Sequence, residues 1–263
     1  MDIQYFSDFS LGGTKLSSFN GIKYNPSGDG IPFDISMPSP EHTTVKIPNT
    51  HGEKWFKTTY GTRLISVPVF IYDTLDIDRF NAWVSDCNPR PFYFVNSKGE
   101  SDYKEIDVIY SKGIDITQYY SPDFKGTTTL EFIAHYPLWR VRNEKNIEIK
   151  FPTINKENKF NTKTTIESLP LIKITPNGTQ SKIIFQFNDI IITLSNVNKD
   201  IYIDSFNGEV YEENNGIKVG CFEKYYSNGW IEFPKINPFV YNKLILIEGN
   251  VASFEITPNS RIV

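Results

Sequence analysis

Three histidines, two cysteines and 31 carboxylates are the side chains from which acid–base, nucleophilic or metal chemistry could be built here. His42, His51 and His135 are scattered, and none lies in an H-E-x-x-H pattern, where two histidines one turn apart would hold zinc. Cys87 and Cys221 have no neighbouring His or Cys to complete a metal set, and two cysteines in a chain of 263 residues make no disulfide framework. They read as two buried free thiols. There is no G-x-S-x-G elbow, P-loop or G-x-G-x-x-G run. Gly28-Asp29-Gly30 is too short to cradle a phosphate and does not join a strand to a helix. Asp76/Asp78 and Glu212/Glu213 read as surface pairs; glycoside chemistry would need two carboxylates held about 5–10 Å apart, and spacing along a chain does not show that. The residues therefore assign no catalytic, cofactor-binding or metal-binding position, and the chain reads as a non-enzyme. The aromatics Tyr119-Tyr120, Tyr225-Tyr226 and Trp230 fall in or near loops. They leave two readings open: stacking on sugar rings, or filling a core or subunit interface.

The elements that must position these residues are mostly strands. The sequence holds 33 Ile, 23 Asn and three Ala. Ile is stiff at its branched Cβ and suits a pleated sheet, while Ala, the best helix former, is nearly missing. Asn, with 16 Gly and 16 Pro, supplies turns. Aromatics reach 15%, so the chain can bury a core and is not disordered by composition. A net charge of -4 argues against a broad nucleic-acid-binding face. No apolar run is long enough for a membrane helix, and the first residues do not read as a secretory signal.

Thr43-Thr44-Val45-Lys46-Ile47 alternates as a strand, Pro48-Asn49-Thr50-His51-Gly52 reads as a turn, and residues 54–60 form the return arm, with Trp55 and Phe56 on opposite faces. Along residues 61–72, Ile65, Val67, Val69 and Ile71 share one face. Pro68 lacks an N–H, which predicts an edge strand or a bulge. One main helix is expected over residues 75–86, capped by Thr74, with Ile77, Phe80, Val84 and Cys87 as its apolar stripe. Polar residues 140–150 mark a boundary, after which short strands and turns recur, with Asn177-Gly178 and Asn207-Gly208 as hairpin turns. The expected architecture is mainly β: residues 1–140 with one main helix, and an all-β sandwich or jelly roll over residues 141–263.

A set of segments in a fixed order carries a family resemblance. They are Val45-Lys46-Ile47-Pro48-Asn49-Thr50-His51-Gly52, Gly61-Thr62-Arg63-Leu64-Ile65, Asp76-Ile77-Asp78-Arg79-Phe80-Asn81-Ala82-Trp83, Pro89-Arg90-Pro91-Phe92, Gly126-Thr127-Thr128-Thr129-Leu130-Glu131-Phe132 and Tyr136-Pro137-Leu138-Trp139. Ile201-Tyr202-Ile203-Asp204 with Gly208, and Ile256-Thr257-Pro258-Asn259-Ser260-Arg261, continue it into the second half. Together they resemble the distal tail protein family of tailed phages that infect Gram-positive bacteria. One departure is Asn237-Pro238-Phe239-Val240-Tyr241-Asn242, where the family often carries a Pro-Gly-x-Asn turn and this chain lacks the glycine.

The resemblance implies an N-terminal β-sandwich-like belt domain that closes a hexameric ring, and a C-terminal galectin-like β-sandwich outside it. It implies a structural hub between the tail tube protein and the tail-tip components, among them a tail-associated lysin or receptor-binding proteins. The place would be the distal end of the virion tail, after assembly in the host cytoplasm. No cofactor, nucleic acid or membrane is called for. A ring needs two different faces that match. The hairpin, with Trp55, Phe56 and Tyr60 as anchors, is one candidate; the strand carrying Ile65, Val67 and Val69, extending a sheet across subunits, is the other. Core packing within one chain competes with both. The alternative function is a carbohydrate-binding adhesion module recognising host cell-wall polysaccharide.

Overall fold

The computed structural model describes residues 6–24, 34–35, 37–46, 53–73, 75–112, 117–119, 125–227 and 232–263, with backbone alone at residues 34, 35, 56, 117–119 and 125. The chain divides into two compact units: Met1–Arg142 with Val263, and Asn143–Ile262. Strands dominate both, as the Ile-rich, Ala-poor composition requires.

The first unit contains strands β1 (Phe6–Leu11), β2 (Thr14–Lys15), β3 (Ile22–Tyr24), β4 (Asp34–Ile35), β5 (Pro40–Val45), β6 (Lys54–Tyr60) and β7 (Arg63–Ile71). Helix α1 (Ile77–Val84) follows, then β8 (Arg90–Asn96), β9 (Lys104–Tyr110), β10 (Thr117–Tyr119), β11 (Lys125–Ala134) and β12 (Trp139–Val141). The main path runs β2-β1-β8-β9-β11-β7-β3, and β5 pairs β6 in a separate two-stranded sheet. Phenylalanines make the core: Phe92 lies 5.3 Å from Phe9 and 5.6 Å from Phe132. α1 closes one side, with Phe80 and Val84 buried and the Trp83 indole N–H donating to the Leu11 carbonyl at 3.1 Å.

That helix is shorter than residues 75–86. The Asp76 carboxylate accepts the Arg79 N–H at 3.1 Å and so caps it, while Thr74 lies outside the described residues. At the other end Asp86 accepts the Asn88 N–H at 3.0 Å, a local turn that competes with helix. Cys87 therefore leaves the apolar stripe and is exposed, contrary to the expectation of two buried thiols; Cys221 is buried. Ile77, also expected on the stripe, is exposed in the first turn.

β7 is not an edge. It pairs β11 along its whole length, and on its other side β3 at Val69–Ile71 and β4 at Ile65–Ser66. Pro68 sits where β3 has ended and β4 has not begun, so its missing N–H removes no ladder bond there.

The second unit contains β13 (Ile147–Lys150), β14 (Glu157–Phe160), β15 (Leu171–Pro176), β16 (Gln180–Phe187), β17 (Ile190–Val197) and β18 (Ile201–Asp204). It continues with β19 (Glu209–Asn214), β20 (Ile217–Gly220), β21 (Tyr225–Ser227), β22 (Asn242–Glu248), β23 (Val251–Thr257) and β24 (Arg261–Ile262). Two antiparallel sheets, β13-β23-β15-β18-β19-β20 and β14-β22-β16-β17-β21, enclose one core. Ile172, Ile174, Phe185, Phe187, Leu244 and Phe254 are among its buried residues. This is the mainly β, two-sheet sandwich expected of the second half.

Asn207-Gly208 does turn a hairpin, joining the paired β18 and β19. Asn177-Gly178 does not: it joins β15 to β16, which lie in different sheets, so its turn chemistry serves a crossing. The strand expected over residues 229–233 falls largely outside the described residues. Among the described residues, the non-glycine positions with positive φ are six asparagines and two phenylalanines, Phe151 and Phe239. The asparagines fit, because their short side chain tolerates the left-handed region; this is one use of the Asn bias.

Candidate assembly surface

The β5–β6 arm belongs to none of the three larger sheets. Every residue of β5 is exposed, and Trp55 on β6 is 61% exposed. The pairing runs from Pro40↔Tyr60 through His42↔Thr58 to Val45↔Lys54. It shifts between Thr43↔Lys57 and Thr44↔Trp55, so Phe56 is the extra residue of a bulge. The simple two-residue alternation assumed for Trp55 and Phe56 therefore does not run through this point. The side chain of Phe56 and the turn expected at residues 48–52 lie outside the described residues.

Short polar contacts hold the arm. The Trp55 indole N–H donates to Thr58 Oγ1 at 3.1 Å, and the same oxygen meets His42 Nδ1 across the strands at 2.9 Å. At the base the Gly61 N–H donates to the Ser39 carbonyl at 2.9 Å. None of this gives the arm a hydrophobic face of its own, and an isolated two-stranded hairpin is at best marginally stable in water.

β7, which follows the arm, separates the other predicted residues. Ile65, Val67 and Val69 are fully buried in the unit's own core. Their side chains face this core, and the strand is paired on both sides, so it is interior and not an edge. The opposite face of the same strand points outward. There Leu64, 46% exposed, pairs with Ile133 of β11, which in turn pairs with Ile109 of β9. This apolar row crosses three strands and was hidden in the sequence, because only the register brings Leu64, Ile133 and Ile109 together. Further along the face, Lys23 Nζ lies 5.6 Å from the Phe70 ring and 5.5 Å from that of Tyr72. Tyr60, the last residue of the arm, is half-buried.

The residues with chemical potential are not gathered. Among the described residues no group of three His, Cys, Asp or Glu could hold a metal ion. His42 lies on the arm and His135 is exposed, while His51 is outside the described residues. Asp76 caps α1; Glu212 pairs with Lys224, and Glu213 accepts the Tyr202 hydroxyl at 3.2 Å. Tyr225 is buried, its hydroxyl donating to the Glu232 carbonyl, and burial pushes its pKa up to about 12. Tyr226 is exposed, whereas Tyr120 and Trp230 lie outside the described residues. No described helix is long and apolar enough to cross a membrane.

No protein-family profile matches the sequence, and no curated protein sequence matches it. Solved structures do. The fold matches the crystal structure of the Dit protein of phage SPP1, described as a paradigm of the hub adsorption apparatus in phages infecting Gram-positive hosts. The TM-score is 0.67 at 12% identity, over 98% of this chain and 99% of that one. Chains of the phage p2 baseplate in its activated conformation, with strontium and with calcium, align at TM-scores of 0.49 and 0.47 and 8% identity, over 97% of this chain and 98% of each of theirs. The chain thus has the fold of a Dit hub protein along its whole length, in line with the resemblance carried by its motifs.

Proposed function

We propose that this protein is a structural hub of a phage tail, forming a ring through its first unit. The observation that carries the reading is the β5–β6 arm: a hairpin with exposed strands, attached to a fold shared over its full length with the SPP1 Dit protein. Such an arm gains stability by laying Trp55 on another surface. The outward row Leu64–Ile133–Ile109 is the surface on a second copy that suits it. Arm and row are different faces, as a heterologous contact closing around an axis requires. The ring has six members and joins the tail tube to the tail-tip and receptor-binding components, at the distal end of the virion.

Light scattering with negative-stain imaging tests this. Six copies of 30.3 kDa make about 182 kDa, and the expected particle is a closed ring of that mass. A chain that stays monomeric alone and when mixed with its tail tube protein overturns the proposal.

A further inference from the structure

The second unit exposes two phenylalanines in left-handed backbone, Phe151 and Phe239, and at residues 237–241 two further apolar side chains stand beside the second. Residues 237–241 follow Pro238 with Phe239 at φ +61, in the left-handed region where a bulky side chain is strained. This is the place where the expected turn would carry glycine. Phe239 is 81% exposed and Tyr241 73%, with Val240 half-exposed between them. The tip is held from below. The fully buried Asn242 accepts the Asn237 N–H and the Asn188 side-chain amide, both at 2.8 Å, and donates to the carbonyls of Asn237 at 3.1 Å and Val240 at 3.3 Å. Asn188 also donates to the Lys235 carbonyl at 2.8 Å. The result is a rigid mount for three apolar side chains in water. Strain retained at an exposed aromatic, on a scaffold that fixes its direction, marks a docking element.

Charge and area narrow the partner. Lys235 pairs with Glu167 at 3.1 Å and Lys243 lies 3.9 Å from Glu157, so the collar is neutral and offers no attraction to an anionic lipid surface. Three side chains bury far less than the roughly 800 Å² per partner of a stable complex. The tip therefore suits a partner already held nearby, where effective concentration makes a small contact count. A second copy of this chain meets that condition, and it carries a receiving depression of about 460 Å³ over the paired strands β19 and β20. Phe222, 38% exposed, gives its apolar surface, Lys218 lies over the nearly buried Tyr211 ring at 4.3 Å, and Gly208 and Gly220 add no side chain. A Cβ added at Gly220 would meet nothing within 4 Å.

We infer that the 237–241 tip of one copy docks in the β19–β20 depression of the next, a second heterologous contact that braces the ring. This rests on the ring reading of the first unit. The test is a cysteine pair, Val240→Cys with Lys218→Cys, in full-length protein carrying Cys87→Ser, with mass measured before oxidation. The expected result is a disulfide between copies in the assembled protein. It should fall at least tenfold in yield when Phe239→Gly is added, although that change suits the backbone and leaves the chain folded. An assembled ring with no disulfide overturns the tip contact alone. A monomer at every concentration overturns the ring reading and the contact with it. Cell-wall polysaccharide that binds the parent protein but not the Lys218→Cys variant, with no cross-link formed, assigns the depression to sugar and overturns the contact.

Discussion

Removing Trp55 is the sharpest perturbation of the arm. In the single chain its side chain is 61% exposed, with one described hydrogen bond, to Thr58. A tryptophan offers about 250 Å² at most, so about 150 Å² remains to be covered by a neighbour. At about 25 cal/mol per Å², full coverage is worth up to about 4 kcal/mol per arm, and immobilisation on docking lowers this to about 2–3 kcal/mol. Trp55→Ala should therefore weaken each contact by about 30- to 150-fold. The isolated chain loses almost nothing, because an exposed side chain changes stability by less than about 0.5 kcal/mol. Mass photometry across a concentration series reads the first effect, and urea unfolding of the dissociated chain reads the second. An assembly that persists at the same concentration in Trp55→Ala refutes the anchor. A chain that loses several kcal/mol of its own stability refutes it too, by placing Trp55 in that chain's core.

Burial pushes the Cys221 thiol up to about 11 from an ordinary 9.0, with Glu212 adding to it, so the folded state keeps a proton that the unfolded state releases. The thiol's contribution is complete below pH 9 and is lost as pH rises to about 11, a fall of about 3 kcal/mol that Cys221→Ala should flatten in urea titrations at stepped pH. In the native protein a thiol reagent should label Cys87 rapidly and Cys221 only on unfolding, which stopped-flow absorbance would follow. Gly249→Ala should cost about 3 kcal/mol in thermal unfolding, because φ there is +101 and a Cβ would lie 2.8 Å from the Lys182 carbonyl oxygen. Asn242→Ala should cost about 3 kcal/mol by leaving the Asn237 N–H and the Asn188 amide without their shared acceptor, and amide exchange should show the 237–241 turn opening first.

Local rules were legible where the cause was local. Asn207-Gly208 turns a hairpin because those residues tolerate the backbone it needs. Asn177-Gly178 satisfies the same rule and yet joins two sheets, since turn chemistry says nothing of which strand comes next. The apolar face of β7 was readable, and its placement was not: Ile65, Val67 and Val69 would show the same period whether they met their own core or a neighbour. Pro68 likewise marked a missing donor without showing that the gap between β3 and β4 already accommodates it. At Phe239 the lost glycine was visible, whereas the turn's persistence at φ +61 was not, because its support comes from Asn188 and Asn242, remote from each other in the chain.

Composition and period, which depend on each residue and its near neighbours, determined by themselves a β protein with one main helix and a strand-rich second half. They also yielded the hairpin as an element. The tertiary structure decided which faces are free. It buried one side of β7, assembled Leu64, Ile133 and Ile109 into a row by register, and left the β5–β6 arm without a sheet to lie on. Those outcomes depend on pairings between distant strands, and a linear pattern carries the period of a strand without naming its partner.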